Sequence, residues 1–110
     1  MPLYNVKLWW PNKYDGYRPF RHDEESVEAK GLFEAKLKAF REIYGLNDKV
    51  VILRGANELC FLLFFEATRQ HWLVVAKSKA QLWAYLNKAG LYPSWIRPVT
   101  ARKVSEATAA

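Results

Sequence analysis

The chain holds one cysteine, Cys60, and two histidines, His22 and His71. One thiol excludes an internal disulfide, and so few thiols and imidazoles leave no set for a structural zinc site. No cofactor or metal is expected, and a reducing, cytoplasmic setting fits this usage. The five glycines form no GxGxxG or phosphate-loop spacing, and there is no HExxH or calcium-loop pattern. No enzyme signature stands in the sequence, so a non-enzymatic role is expected. The longest apolar run, Leu59 to Phe65, falls far short of the ~20 residues that a membrane helix needs, and no charged-then-apolar leader with a small-residue cleavage site is seen. No membrane association is expected. The last scarcity is the most informative. From Ala67 to Ser105 there is no acidic residue at all, against seven basic ones: Arg69, Lys77, Lys79, Lys88, Arg97, Arg102 and Lys103.

What is present describes one globular domain: 110 residues, 51% hydrophobic, 15% aromatic and 25% charged. Residues 1–102 are expected to form it, with 103–110 as a disordered tail. The net charge is 17 − 11 = +6. The first 66 residues balance at ten basic and ten acidic, so the excess belongs to the C-terminal part.

Along the chain, Tyr4, Val6, Leu8 and Trp10 alternate with Asn5 and Lys7, the period of a half-buried strand. Pro11 to His22, with two prolines and Asp15-Gly16, reads as a long loop that folds a small hairpin at most. The spacing of Ala29, Leu32, Phe33, Leu37, Phe40, Ile43 and Tyr44 predicts a helix from Asp23 or Ser26 to Tyr44, with Asp23, Glu24, Glu25 and Glu28 in its first turns and Gly45-Leu46 as its stop. Lys49–Arg54, Leu59–Glu66 and His71–Lys77 read as three strands of a meander. A second helix, Lys79 to Ala89, is bracketed by a Ser78/Gln81 capping box and a Gly90-Leu91 stop, with Leu82, Trp83, Leu86 and Ala89 as its buried face. Ser94 to Thr100 reads as a last strand, confined to a sheet edge by Pro98.

This order predicts an α+β two-layer sandwich: a mainly antiparallel sheet of about five strands with two helices on one face, β-α-β-β-β-α-β, a variant of the ferredoxin-like plan. The expected core includes Val6, Leu8, Leu32, Phe33, Leu37, Phe40, Val51, Leu53, Phe61, Leu63, Val74, Leu82 and Leu86. One feature strains against that plan. Leu59, Phe61, Leu63 and Phe65 fall on one face of their strand, and Cys60, Leu62 and Phe64 on the other, so both faces are apolar. The second face must be covered by the Pro11–His22 loop, by helices placed on opposite faces, or by a second copy; a homodimer through that face is the expectation.

The acid-free stretch points to a polyanion. Arg69, Lys77, Lys79, Arg97, Arg102 and Lys103 are the expected phosphate contacts, and Lys13, Tyr14, Tyr17, Arg18 and Arg21 a stacking loop for nucleic acid. The competing reading of that loop is a lid over the sheet. An acidic protein surface would meet the same cations, which makes the chain a protein-binding inhibitor or adaptor acting on another protein or nucleoprotein complex, of the kind a phage or mobile element uses. The strand from Asn57 to Phe64 lacks the basic residue and glycine of an RNA-recognition strand, and Pro93 and Pro98 break a helix-turn-helix reading. Glu66 and His71 flank one turn where an acid-base pair could face each other, and a turn-stabilising contact between them is expected instead, since no nucleophile or oxyanion donor set is in view; Cys60 is expected to be an inert core thiol.

Overall fold

The structure, a computed structural model, describes residues 2–11, 20–44, 48–57 and 59–106, by backbone alone at 10–11, 20–23 and 105–106. Its elements are β1 (Pro2–Pro11), β2 (Phe20–Glu28), α1 (Leu32–Tyr44), β3 (Lys49–Ile52), β4 (Leu59–Phe65), β5 (Gln70–Ala76), α2 (Lys79–Ala89) and β6 (Trp95–Glu106). They build an α+β fold on one six-stranded mixed sheet of order β2-β1-β6-β4-β5-β3.

The first departure from the expected plan is β2. Phe20 to Glu28 pairs antiparallel with β1, from Pro11 opposite Phe20 to Leu3 opposite Glu28. The predicted first turns of the helix, and the end of the predicted loop, are therefore strand. Gly31 explains where the helix really begins. Inside a helix it would cost ~1 kcal/mol; here its carbonyl accepts the Ala35 N–H at 3.0 Å, and Glu34 turns back to accept the Lys30 N–H at 3.1 Å.

The strands do not form the expected meander. β3 lies outside β5 and parallel to it, with Lys49 opposite Trp72 and Ile52 opposite Val75, while β4 pairs antiparallel with both β5 and β6. β6 is central rather than at an edge. Pro98 is accommodated because β6 pairs with β4 over Trp95–Val99, whereas its ladder to β1 starts only at Thr100 opposite Lys7. At Pro98 the strand has one hydrogen-bonded neighbour, and the missing donor costs no ladder bond on the other side. Past Arg102 the strand continues to Glu106, which pairs with Pro2, so residues 103–106, expected in the tail, are strand; 107–110 lie outside the described residues.

The helices lie on opposite faces, not on one. One core cluster joins α1 (Ala35, Ala39, Phe40) to Tyr4, Val6, Leu8, Cys60, Leu62, Leu73, Val75 and Val99. The other joins α2 (Leu82, Leu86) to Phe61, Leu63, Val74 and Ala76. Strand directions account for this. With β6 taken as pointing up, the pairings make β1 and β4 point down and β2, β5 and β3 point up. Thus β2-α1-β3 and β5-α2-β6 are both parallel crossovers, but they traverse the sheet in opposite directions. The right-handed sense such crossovers take then puts their helices on opposite faces.

The two-faced apolar strands β4 and β5 are therefore covered within one chain by helices on opposite faces, one of the three covers the sequence offered. The part of the α2-side face that carries no helix, over β2, β1 and β6, presents Asn5, Lys7, Glu24, Ser26, Thr100 and Arg102. Of the expected core, Leu32, Phe33, Leu37, Val51 and Leu53 are partly buried and the rest are buried.

Candidate nucleic-acid interface

The best-defined basic site starts from the cap of α2. Ser78 stands at the N-cap and its hydroxyl accepts the Gln81 N–H at 3.1 Å. Gln81 does more than close a capping box. Its Oε1 accepts the Lys77 N–H at 2.7 Å, and its Nε2 donates to the Arg54 carbonyl at 2.6 Å. One side chain thus ties the turn after β3 to the end of β5 and the start of α2.

That turn is tight: Ala56 N–H donates to the Leu53 carbonyl at 3.0 Å and Gly55 has a φ of +73°. A side chain at Gly55 would begin 3.8 Å from the Lys77 Cδ, so the lysine stem lies along the turn. Arg54, Lys77 and Lys79 are all exposed, and the ion pair among the described residues is Arg69 with Glu66, at the other end of β5. Glu58 lies outside the described residues.

The other expected contacts divide by position. Register places Val99 opposite Cys60 and Cys60 opposite Val75, so Arg102 and Lys103 lie toward the Lys77 end of the sheet, ~10 Å away across two strand spacings. They leave β6 on opposite faces. Arg102 shares a cavity with Asn5, Lys7 and Glu24, a mixed-charge surface where the Asn5 amide donates to Glu24 at 3.2 Å.

Arg69 sits at the other end of β5, in the β4–β5 turn, with its guanidinium 3.8 Å from Glu66. Arg97 is half-buried, its guanidinium carbon 5.4 Å from the Trp9 ring centroid, with Lys7 Nζ 4.8 Å from the same ring. Arg21 is placed by its backbone opposite Trp10. Lys13, Tyr14, Tyr17 and Arg18 lie outside the described residues.

Arg54 was not read from the sequence as a site residue, because it belongs to the charge-balanced first 66 residues. The signal was there in Gln81, whose two-ended amide suits a helix cap that also holds a neighbouring loop.

The remaining chemistry-bearing groups are structural in setting. Glu66 is exposed and pairs with Arg69, while His71 points away from it into a ring cluster. Tyr44, Phe64 and Trp95 lie 4.4, 4.8 and 6.0 Å from the His71 ring. Burial there pushes the imidazole pKa below its usual 6.5, opposed by the Asp48 carboxylate, which also accepts the backbone N–H of His71 at 2.9 Å. Cys60 is buried at the sheet centre. Among the described residues no group of three or more His, Cys, Asp or Glu is placed to hold a metal ion, and no helix is long and apolar enough to cross a membrane.

On the α2 side, a cleft of about 410 Å³ opens between the end of the helix and the entry to β6. Trp83, Leu86, Leu91, Tyr92, Pro93 and Ile96 line most of it, with Asn87 and Ser94 as polar members. Its walls are fixed. Gly90 takes the left-handed conformation, and Leu91 N–H returns to the Leu86 carbonyl at 2.9 Å, closing a Schellman stop. Ser94 N–H then docks on the Phe64 carbonyl at 2.7 Å, and its hydroxyl accepts the Glu66 N–H at 3.0 Å. Trp83 and Ala89, expected on the buried face of α2, are instead exposed, Trp83 to 46%, and Tyr92 is 87% exposed. Comparison of the chain with protein-family models, curated proteins and solved structures finds no match to any of them.

Proposed function

We propose that the chain is a non-enzymatic binding protein for nucleic acid that holds the phosphate backbone at the start of α2. The observation that carries this reading is the Gln81 clamp, which ties the backbone at Arg54 to the backbone at Lys77, two residues before Lys79, with all three side chains exposed. Three exposed cations on a pinned backbone suit a row of phosphates, which repeat along a strand and carry no sequence information.

Band-shift titration of a random 30-mer at two salt concentrations tests it. If the three cations each neutralise a phosphate, log affinity for duplex falls by about 2.7 per log unit of salt, from ~0.9 per phosphate. Lys77→Glu with Lys79→Glu weakens binding to every sequence alike and flattens that slope. Absence of binding at low salt to both single and double strands ends the reading.

A protein-binding inhibitor or adaptor is the second reading, because exposed Trp83 and Tyr92 are residue types that anchor protein interfaces. A stoichiometric protein partner that survives nuclease treatment in a pull-down supports it over the first.

A further inference from the structure

We infer that the cleft between α2 and β6 receives an unpaired base, so that the nucleic acid bound at the start of α2 is single-stranded. This rests on the reading above and deepens it. Lys79, Trp83 and Asn87 recur at a spacing of four along α2, which sets them on one helical face over ~12 Å. The cationic end of that face is the Arg54/Lys77/Lys79 surface, and its other end is the wall of the cleft.

A strand whose phosphates lie at Lys77 and Lys79 therefore runs, within a few nucleotides, past two exposed aromatic faces. Trp83 and Tyr92 present the flat apolar surfaces on which bases of any kind stack. Asn87 and Ser94 put polar groups at the base edge.

Charge argues for the same occupant. None of the lining residues is acidic or basic, Lys88 is the charged residue adjoining them on α2, and Glu66 at the neighbouring turn is paired with Arg69. A neutral ring attached to an anionic chain fits this setting. A duplex does not, because its bases are stacked on one another and its rings are not free to enter a cleft.

The test uses the full chain and three ligands of equal length: a random single-stranded 30-mer, its duplex, and an abasic phosphodiester strand. Tyr92→Ala changes a side chain that is mostly in solvent, and circular dichroism checks that the fold is kept. It should weaken the single strand about 5- to 150-fold, the range of one lost stacking contact, and leave duplex and abasic strand within twofold. Tyr92→Phe should restore single-strand affinity, since the ring face is what binds. Trp83→Ala should follow Tyr92→Ala.

Equal weakening of all three ligands, or none of any, overturns the inference; Lys77→Glu then shows independently whether the phosphate reading still stands. If no nucleic acid binds at low salt and an acidic peptide with an aromatic side chain binds instead, more weakly to Tyr92→Ala, both readings fall together.

Discussion

Leu62 and Leu63 are neighbours in β4, both fully buried, and belong to different cores: Leu62 lies under α1 and Leu63 under α2. Truncating each to alanine measures whether both faces are covered. Roughly three methylene equivalents at ~0.8 kcal/mol give ~2.4 kcal/mol of lost transfer energy per site. Both positions are central in a sheet with a helix above them, so the void closes only in part, and the cavity contribution brings the cost to about 3–4 kcal/mol, inside the ~2–5 kcal/mol range for such changes.

A domain of this size is stable by ~5–15 kcal/mol, so each single variant stays folded and measurable. In urea, with a slope of ~2 kcal/mol per molar, each midpoint falls by about 1.5–2 M. A double-mutant cycle sharpens the test. Leu63→Ala couples to Leu82→Ala by ~0.5 kcal/mol or more, because the two share a cluster, whereas Leu62→Ala combines with Leu82→Ala additively to within ~0.5 kcal/mol. A cost below ~1 kcal/mol at either leucine would mean that its face is open to water, and the opposed placement of the helices would be refuted.

His71 links stability to pH. Its folded pKa lies below the unfolded 6.5, so the unfolded chain takes up the proton first. Its contribution is complete above pH 6.5 and is lost as pH falls through the window beneath 6.5 toward the lowered folded value. The difference in unfolding midpoint between the native chain and His71→Phe, followed from pH 8 to 5, should show that loss, and a flat difference counts against the buried neutral imidazole. Gln81→Ala removes two hydrogen bonds and should cost ~1–2 kcal/mol by urea unfolding while weakening nucleic-acid binding; an unchanged affinity at full folding would show that Arg54 need not be held there.

The sequence is most legible where structure is set locally. α2 and both its caps follow from Ser78, Gln81 and Gly90, because a cap is an interaction among residues a few positions apart. β2 was hidden for the opposite reason. Four acids ahead of an apolar stripe look like a helix start, and only pairing with β1 makes them a strand; Gly31 was the one local sign that the helix begins later. The two-sided apolar pattern of β4 showed that both faces need cover, but which element supplies it depends on strand order, which no local pattern carries. Trp83 was expected on the buried face of α2 because an apolar residue near helical spacing is usually buried; the stripe that faces the sheet is Leu82 and Leu86, and Trp83, one position and ~100° round the helix from Leu82, stands on the flank that lines the cleft.

Charge asymmetry along the chain is not the same asymmetry in space. β2 brings Glu24 opposite Lys7, and Lys7 stands opposite Thr100, so an acidic strand is laid two places from the basic half of β6. Arg102, which looked like a free phosphate contact, shares its cavity with Glu24. The same strand order protects the other basic surface. From β2 to β5 the sheet passes β1, β6 and β4, four spacings or ~19 Å, about two screening lengths at physiological salt. The field of the β2 acids has decayed there, and Arg54, Lys77 and Lys79 keep theirs. The basic surface proposed to meet a polyanion is therefore smaller than the acid-free stretch of sequence implies, and it lies toward the side of the sheet away from β2.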